Sequence, residues 1–305
     1  MLAKFSLLPL EVLVFIFVAC SSNDSVSEPP KSRESSSSTE LEPSSNSEFD
    51  ESSSSRANSS SSAARSSSSQ GSTPMGLCTT KACIDSEINA NWSRLGYGTK
   101  PTKVVALTFD DGPGTKTQNL LNALAAKEVK ATFFLIGQNI RGNQTSAKAI
   151  YDAGHELANH SDGYGGLGGS TAANTISTSL TAASTAIKNI TGKDVKLFRA
   201  PNVEYGSNLT TVCTQQGLAI IGVSIWSNDF QDGISSAQIS SNVTSNPTDG
   251  GIINCHEPNT APNTVAAIPT MIDGLRTKGF WILTVGQMAI YKNKTLTAGT
   301  KYDNF

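Results

Sequence analysis

The chain has 305 residues, with 23 Lys and Arg against 25 Asp and Glu, and a formal net charge of −2 at pH 7. A near-neutral balance with no long basic tract offers little to a phosphate backbone, which excludes a nucleic-acid partner. The length overstates the part that can fold, because the first stretch of the chain lacks a pattern that could build a core.

Residues 1–20 read as an export leader. Lys4 gives a positive start, Val12-Leu13-Val14-Phe15-Ile16-Phe17-Val18 a short apolar run, and Ala19 a small residue before Cys20. The run is shorter than the roughly 20 apolar residues that span a bilayer. Phe17-Val18-Ala19-Cys20 resembles a bacterial lipobox, with Phe17 where Leu is usual. That implies lipidation at Cys20 and an exported lipoprotein at the outer membrane or cell surface; ordinary cleavage and secretion is the alternative. From 21 to 74 Ser dominates, mixed with Glu, Asp, Asn and Pro, and no apolar residue recurs at a helix or strand period. Such a segment cannot bury enough surface to offset its ordering entropy, so a disordered tether is expected, with membrane contact only through the lipid.

A lead-in over 75–102 is followed by one α/β domain over 103–290 and a tail over 291–305. Apolar, strand-like runs fall at 104–109, 132–136, 155–160, 196–198, 219–224, 251–255 and 281–285. Helical periodicity falls at 117–127, 146–153, 172–190, 209–216, 236–243 and 264–278. Repeated β–α alternation predicts a parallel sheet, closed or nearly closed into a (β/α) barrel. Of the five cysteines, four remain after Cys20, and an even number in an exported chain favours disulfides. If His256 points into the barrel, its neighbour Cys255 points to the helix layer that carries Cys213. Cys213–Cys255 and Cys78–Cys83 are the expected pairs, with buried free thiols at Cys213 and Cys255 as the alternative.

Three fragments end predicted strands: Thr108-Phe109-Asp110-Asp111-Gly112-Pro113, Phe198-Arg199-Ala200-Pro201 and Ile252-Ile253-Asn254-Cys255-His256. In an α/β barrel such ends converge on one pocket. In order and content they resemble the motifs of the NodB-homology polysaccharide deacetylases, carbohydrate esterase family 4. The resemblance runs from about Lys103 to Met288 and implies a distorted (β/α) barrel of that type. It implies hydrolysis of acetyl groups with a divalent metal ion (zinc, cobalt, nickel or manganese) on an acetylated polysaccharide, by a monomer.

Carried over residue by residue, Asp110 matches the general base, Asp111 and His160 metal ligands, His256 the general acid and Arg199 the cation that fixes the base. Trp226-Ser227-Asn228-Asp229-Phe230-Gln231-Asp232-Gly233 resembles the motif whose carboxylate holds the acid histidine, and Asp232 is matched to it. Gly233 stands where that motif has Trp; Trp226 or Phe230 could replace the lost wall. Pro201, Trp226 and Tyr164 are the expected substrate contacts. Tyr164 also stands where a second ligand histidine is usual, so water, Asp162 or the Tyr164 phenolate would complete the metal site. The chain has three histidines. His155, on the opposite strand face from His160, reads as packed or surface-exposed.

The Arg-Ala-Pro-Asn sequence and the altered second motif look most like the acetylxylan esterases, with chitin-type or peptidoglycan N-deacetylation as the alternative. A metal-free carbohydrate-binding relative is a further alternative, motivated by Tyr164 and Gly233. No Gly-x-Ser-x-Gly elbow occurs, which disfavours a serine hydrolase.

Overall fold

The computed structural model describes residues 77–305; the expected leader, Cys20 and tether lie outside the described residues. Strands β1 (Lys103–Gly112), β2 (Thr132–Leu135), β3 (Glu156–Asn159), β4 (Leu197–Phe198), β5 (Ala219–Ile221), β6 (Ile225–Trp226), β7 (Gly251–His256), β8 (Phe280–Leu283) and β9 (Lys301–Tyr302) alternate with helices. The sheet runs β6-β7-β1-β2-β3-β4-β5-β9, and β8 pairs with the first half of β1. Every pairing between these strands is parallel. Asn304, just past β9, bridges back to Gly251 at the start of β7. The sheet is therefore curled into the expected barrel, and the segment expected as a tail supplies one of its strands.

Alternation along the strands sorts the side chains into two layers. Leu107, Phe109, Phe133, Leu135, Ile253 and Cys255 face outward and pack with helix residues such as Leu120, Leu124, Leu180, Ile187 and Met271. These come from α2 (Thr117–Ala126), α5 (Ala173–Thr191) and α8 (Thr264–Thr277). Val104, Ala106, Phe134, Ala158, Leu197, Ile221 and Ile252 face inward. They are plugged from below by Ile84, Ile88 and Trp92, which lie one turn apart on α1 (Lys81–Arg94). Helix α1 was not anticipated; its cap, Thr80 Oγ1 accepting from Cys83 N at 3.2 Å, reads as an ordinary polar residue in sequence. Among the described residues no helix is long and apolar enough to cross a membrane.

Two expectations are corrected. The predicted strand at 281–285 stops at Leu283 because Thr284 caps α9 (Val285–Tyr291), in a reciprocal capping box with Gln287. Cys78–Cys83 is a disulfide, but Cys213 and Cys255 are free and buried. Both do face the outer layer. Cys213, however, sits on α6 (Ser207–Gln216), which packs beside β5, and four strands separate β5 from β7 in the sheet.

His155 is packed, not a ligand. It is buried against Phe133, and its Nδ1 accepts a hydrogen bond from Ala131 N at 3.1 Å. Burial, with Lys130 adding, pushes its pKa down from 6.5 to about 3. Between those values the unfolded chain binds a proton that the folded chain refuses. Stability therefore rises with pH across that window and is lost on acidification, by up to about 1.4 kcal/mol per pH unit. Urea titrations from neutral pH to about pH 4 should show the midpoint falling, and His155→Gln should flatten the slope by about one proton. An unchanged slope in that variant would remove His155 as the cause.

Candidate active site

Above the apolar inner layer, the same alternation turns Thr108 and Asp110 of β1, Asn254 and His256 of β7, His160 after β3 and Arg199 after β4 toward one polar layer. Arg199 is fully buried. Its Nη1 donates to Asp110 Oδ1 and Thr108 Oγ1, both at 2.7 Å, while Nη2 and Nε donate to the carbonyls of Gly222 and Ile221 at 3.0 and 3.3 Å. The guanidinium lies 4.1 Å above the centre of the Phe134 ring. The other oxygen of Asp110, Oδ2, accepts from Asn254 Nδ2 at 2.8 Å. Both Asp110 oxygens are thus fixed from opposite sides. Asn254 was not singled out in sequence, although its two-residue spacing from His256 on one strand places it on the same face.

Near the end of β1, Asp111 takes φ 71°, a left-handed conformation that few residues other than glycine, asparagine and aspartate adopt, which swings its carboxylate away from Asp110. Its Oδ1 lies 3.5 Å from His160 Nε2. His160 Nδ1 contacts the Arg199 carbonyl at 2.9 Å. A carbonyl only accepts, so Nδ1 carries the proton and the lone pair of a neutral ring lies on Nε2, facing the carboxylate. Two lone-pair donors so placed fit a cation. Burial alone would raise the Asp111 pKa, but the hydrogen bond and charge that a protonated His160 supplies, the charge of His256 and the Thr260 hydroxyl outweigh it and hold it low; a cation between Asp111 and His160 would replace that proton. Among the described residues no group of three or more His, Cys, Asp or Glu is arranged for a metal; Asp111 and His160 are the two donors that would hold one.

The carboxylate holding His256 is Asp229, not Asp232. Asp229 Oδ1 meets His256 Nδ1 at 2.7 Å, and Oδ2 accepts from His256 N and Thr264 Oγ1 at 2.8 and 2.6 Å. Asp232 is exposed in the following turn. The choice is made by Asn228, whose φ of 57° turns the chain back toward β7 immediately before Asp229. Burial opposes protonation of His256, but Asp229, Asp110 and Asp111 prevail and raise its pKa. The Phe230 ring meets the His256 ring edge-on at 5.6 Å and is otherwise half exposed.

The remaining expected contacts are spread around the mouth. Tyr164 is 56% exposed; its Oη accepts from Asn139 Nδ2 at 3.0 Å, and the same nitrogen donates to the Asp111 carbonyl at 2.8 Å. Asp162 is turned away, with both oxygens held by Arg141 at 2.7 and 2.9 Å. Trp226 is 42% exposed and registers with Asn254 across the sheet. Pro201 is buried at the start of a single 3₁₀ turn, Pro201–Val203, so it shapes the loop rather than offering a surface.

A family model described as polysaccharide deacetylase matches residues 97–221, which include Asp110, Asp111, His160 and Arg199. A bifunctional xylanase/deacetylase of Pseudobutyrivibrio xylanivorans is 37% identical over 63% of this chain, which spans only 31% of that relative's length. A peptidoglycan-N-acetylglucosamine deacetylase of Bacillus cereus is 33% identical over 60% of this chain and 70% of its own. A family 4 acetyl xylan esterase from Clostridium thermocellum, solved with a cobalt ion, superposes with a TM-score of 0.62 at 29% identity, covering 66% of this chain and 98% of that one. With the barrel, the paired carboxylates and the distant histidines all in register, the chain belongs to the polysaccharide deacetylase family.

Proposed function

We propose that the protein is a metal-dependent hydrolase that removes acetyl groups from an acetylated polysaccharide, with O-acetylated xylan as its substrate. One observation carries the reading. A carboxylate fixed by Arg199, a facing carboxylate–imidazole pair and a carboxylate-held histidine meet in one polar layer. Base, cation site and acid are what acyl hydrolysis requires.

A divalent cation between Asp111 and His160 would polarise the acetyl carbonyl. Asp110, aimed by Arg199 and Asn254, takes the proton of the attacking water. His256 keeps Nδ1 on Asp229 and presents Nε2 to the departing sugar oxygen, to which it gives its proton. The raised His256 pKa keeps that proton available to higher pH. Tyr164 and Trp226, exposed beside Asp111 and Asn254, would bear on the sugars.

Xylan is favoured by the relatives named for it, whereas the Bacillus cereus relative favours N-deacetylation of peptidoglycan or chitin-type sugars. Acetate release from acetylxylan, N-acetylchitooligosaccharide and peptidoglycan, each with and without chelator, decides between them. Release from none of them, with sugar binding retained, would favour the metal-free binding relative. Export on a lipid at Cys20 is part of the proposal and rests on residues 1–20 alone; labelled fatty acid should enter the wild-type chain and not Cys20→Ala.

Asp110→Asn and His256→Ala should each lower kcat by about 10² or more in chains that still fold, and Asp110→Asn should also lower the melting temperature because Arg199 keeps its buried charge. Asp229→Asn should lower kcat and move the alkaline fall of kcat/KM to lower pH, because His256 loses the carboxylate that raises its pKa. Asp232→Asn should leave the profile in place; the opposite pattern would return the role to Asp232. Dialysis against chelator should abolish turnover and added cobalt or zinc restore it. Tyr164→His should tighten the metal, measured as a lower Kd, by adding a third neutral donor. Equal affinity would mean that position 164 does not reach the ion.

A further inference from the structure

Glu257 follows His256 in sequence but turns away from the chemistry. Its side chain is buried, with the residue only 1% exposed. Oε2 accepts from Thr117 Oγ1 at 2.7 Å, and that hydroxyl accepts from Gly114 N at 2.8 Å. Oε1 is buried with no hydrogen-bond partner. It lies against Gly112: a β-carbon placed there would sit 2.2 Å from Oε1, 2.6 Å from Cδ and 2.7 Å from Cγ. The Glu257 side chain therefore fills the space that a β-carbon at position 112 would need, and glycine is required there by close approach rather than by its φ.

The other edges of this turn are also held. Ile136 N donates to the Gly112 carbonyl at 2.9 Å, and Asn139 Nδ2 holds the Asp111 carbonyl. Glu257 N donates to the Asp110 carbonyl at 3.0 Å. Between these clamps Asp111 sits at its left-handed φ, a conformation that persists only when its surroundings over-determine it. An unpaired buried acceptor is itself unfavourable, and a polar group left so in a core calls for an explanation other than stability.

We propose that Glu257 is a positioning residue: wedged between Thr117 and Gly112, its carboxyl locks the Asp111 turn so that the Asp111 carboxylate faces His160 and holds the cation. This rests on the reading of Asp111 and His160 as ligands. Partners that orient ligands in this way usually govern metal affinity by about 10- to 100-fold.

The test is calorimetric titration of chelator-stripped protein with cobalt, beside the melting temperature of the metal-free form. Wild type binds. Glu257→Ala and Gly112→Ala each bind at least about tenfold more weakly. Glu257→Gln keeps the shape and an acceptor for Thr117, and stays within about threefold of wild type, whereas Thr117→Val loses part of the affinity. Gly112→Ala combined with Glu257→Ala is no weaker than the worse single variant, since both act at one contact. A wild type that binds no cobalt removes the ligand reading instead. Wild-type affinity in folded Glu257→Ala and Thr117→Val, or a Glu257→Gln as weak as Glu257→Ala, overturns the lock.

Discussion

The site depends on one desolvated charge. Arg199 is fully buried, and protein groups accept from each of its three nitrogens. Its donors reach Asp110, Thr108 and two main-chain carbonyls of the β5 end, so one planar fork ties β1, β4 and β5 together above the apolar layer. Removing either partner of such a pair leaves a buried charge uncompensated, which typically costs about 3–5 kcal/mol. The geometry of Asp110 is therefore enforced by the folding free energy itself. Asp110 cannot turn without exposing that charge to an apolar surrounding.

Much of this was legible in sequence because strand ends announce themselves. The apolar runs before Asp110, Arg199 and His256 fix where each strand stops, and a period of two fixes which neighbours share a face. That logic correctly set His155 apart from His160. It would also have found Asn254, had the face of β7 been followed one step back from His256. Sequence spacing could not choose between Asp229 and Asp232, because the decision lies in the left-handed turn at Asn228, which alternation does not encode. It matched Cys78 with Cys83 but failed for Cys213 and Cys255, which face the same layer on different sides of a curled sheet. Glu257 carries no signal in sequence, since its significance is the space that Gly112 leaves for it.

Strand β9 was missed for a related reason. Lys301–Tyr302 is too short and too polar to show a period, and its partner β5 is far away in sequence. Its place is set by neighbours: Gly222 N donates to the Tyr302 carbonyl, and Phe305 N to the Gly250 carbonyl. Gly222 in turn lends its own carbonyl to Arg199. The end of the described chain is thus one peptide removed from the buried fork.

Arg199 serves the site twice, through different parts of one residue. Its guanidinium aims Asp110, while its main-chain carbonyl sets the tautomer of His160. Only the first of these depends on side-chain identity. Exchanging Arg199 would therefore free Asp110 to turn and leave its carboxylate buried and unpaired, while the main-chain carbonyl at position 199, present whatever the side chain, would still be there to orient His160.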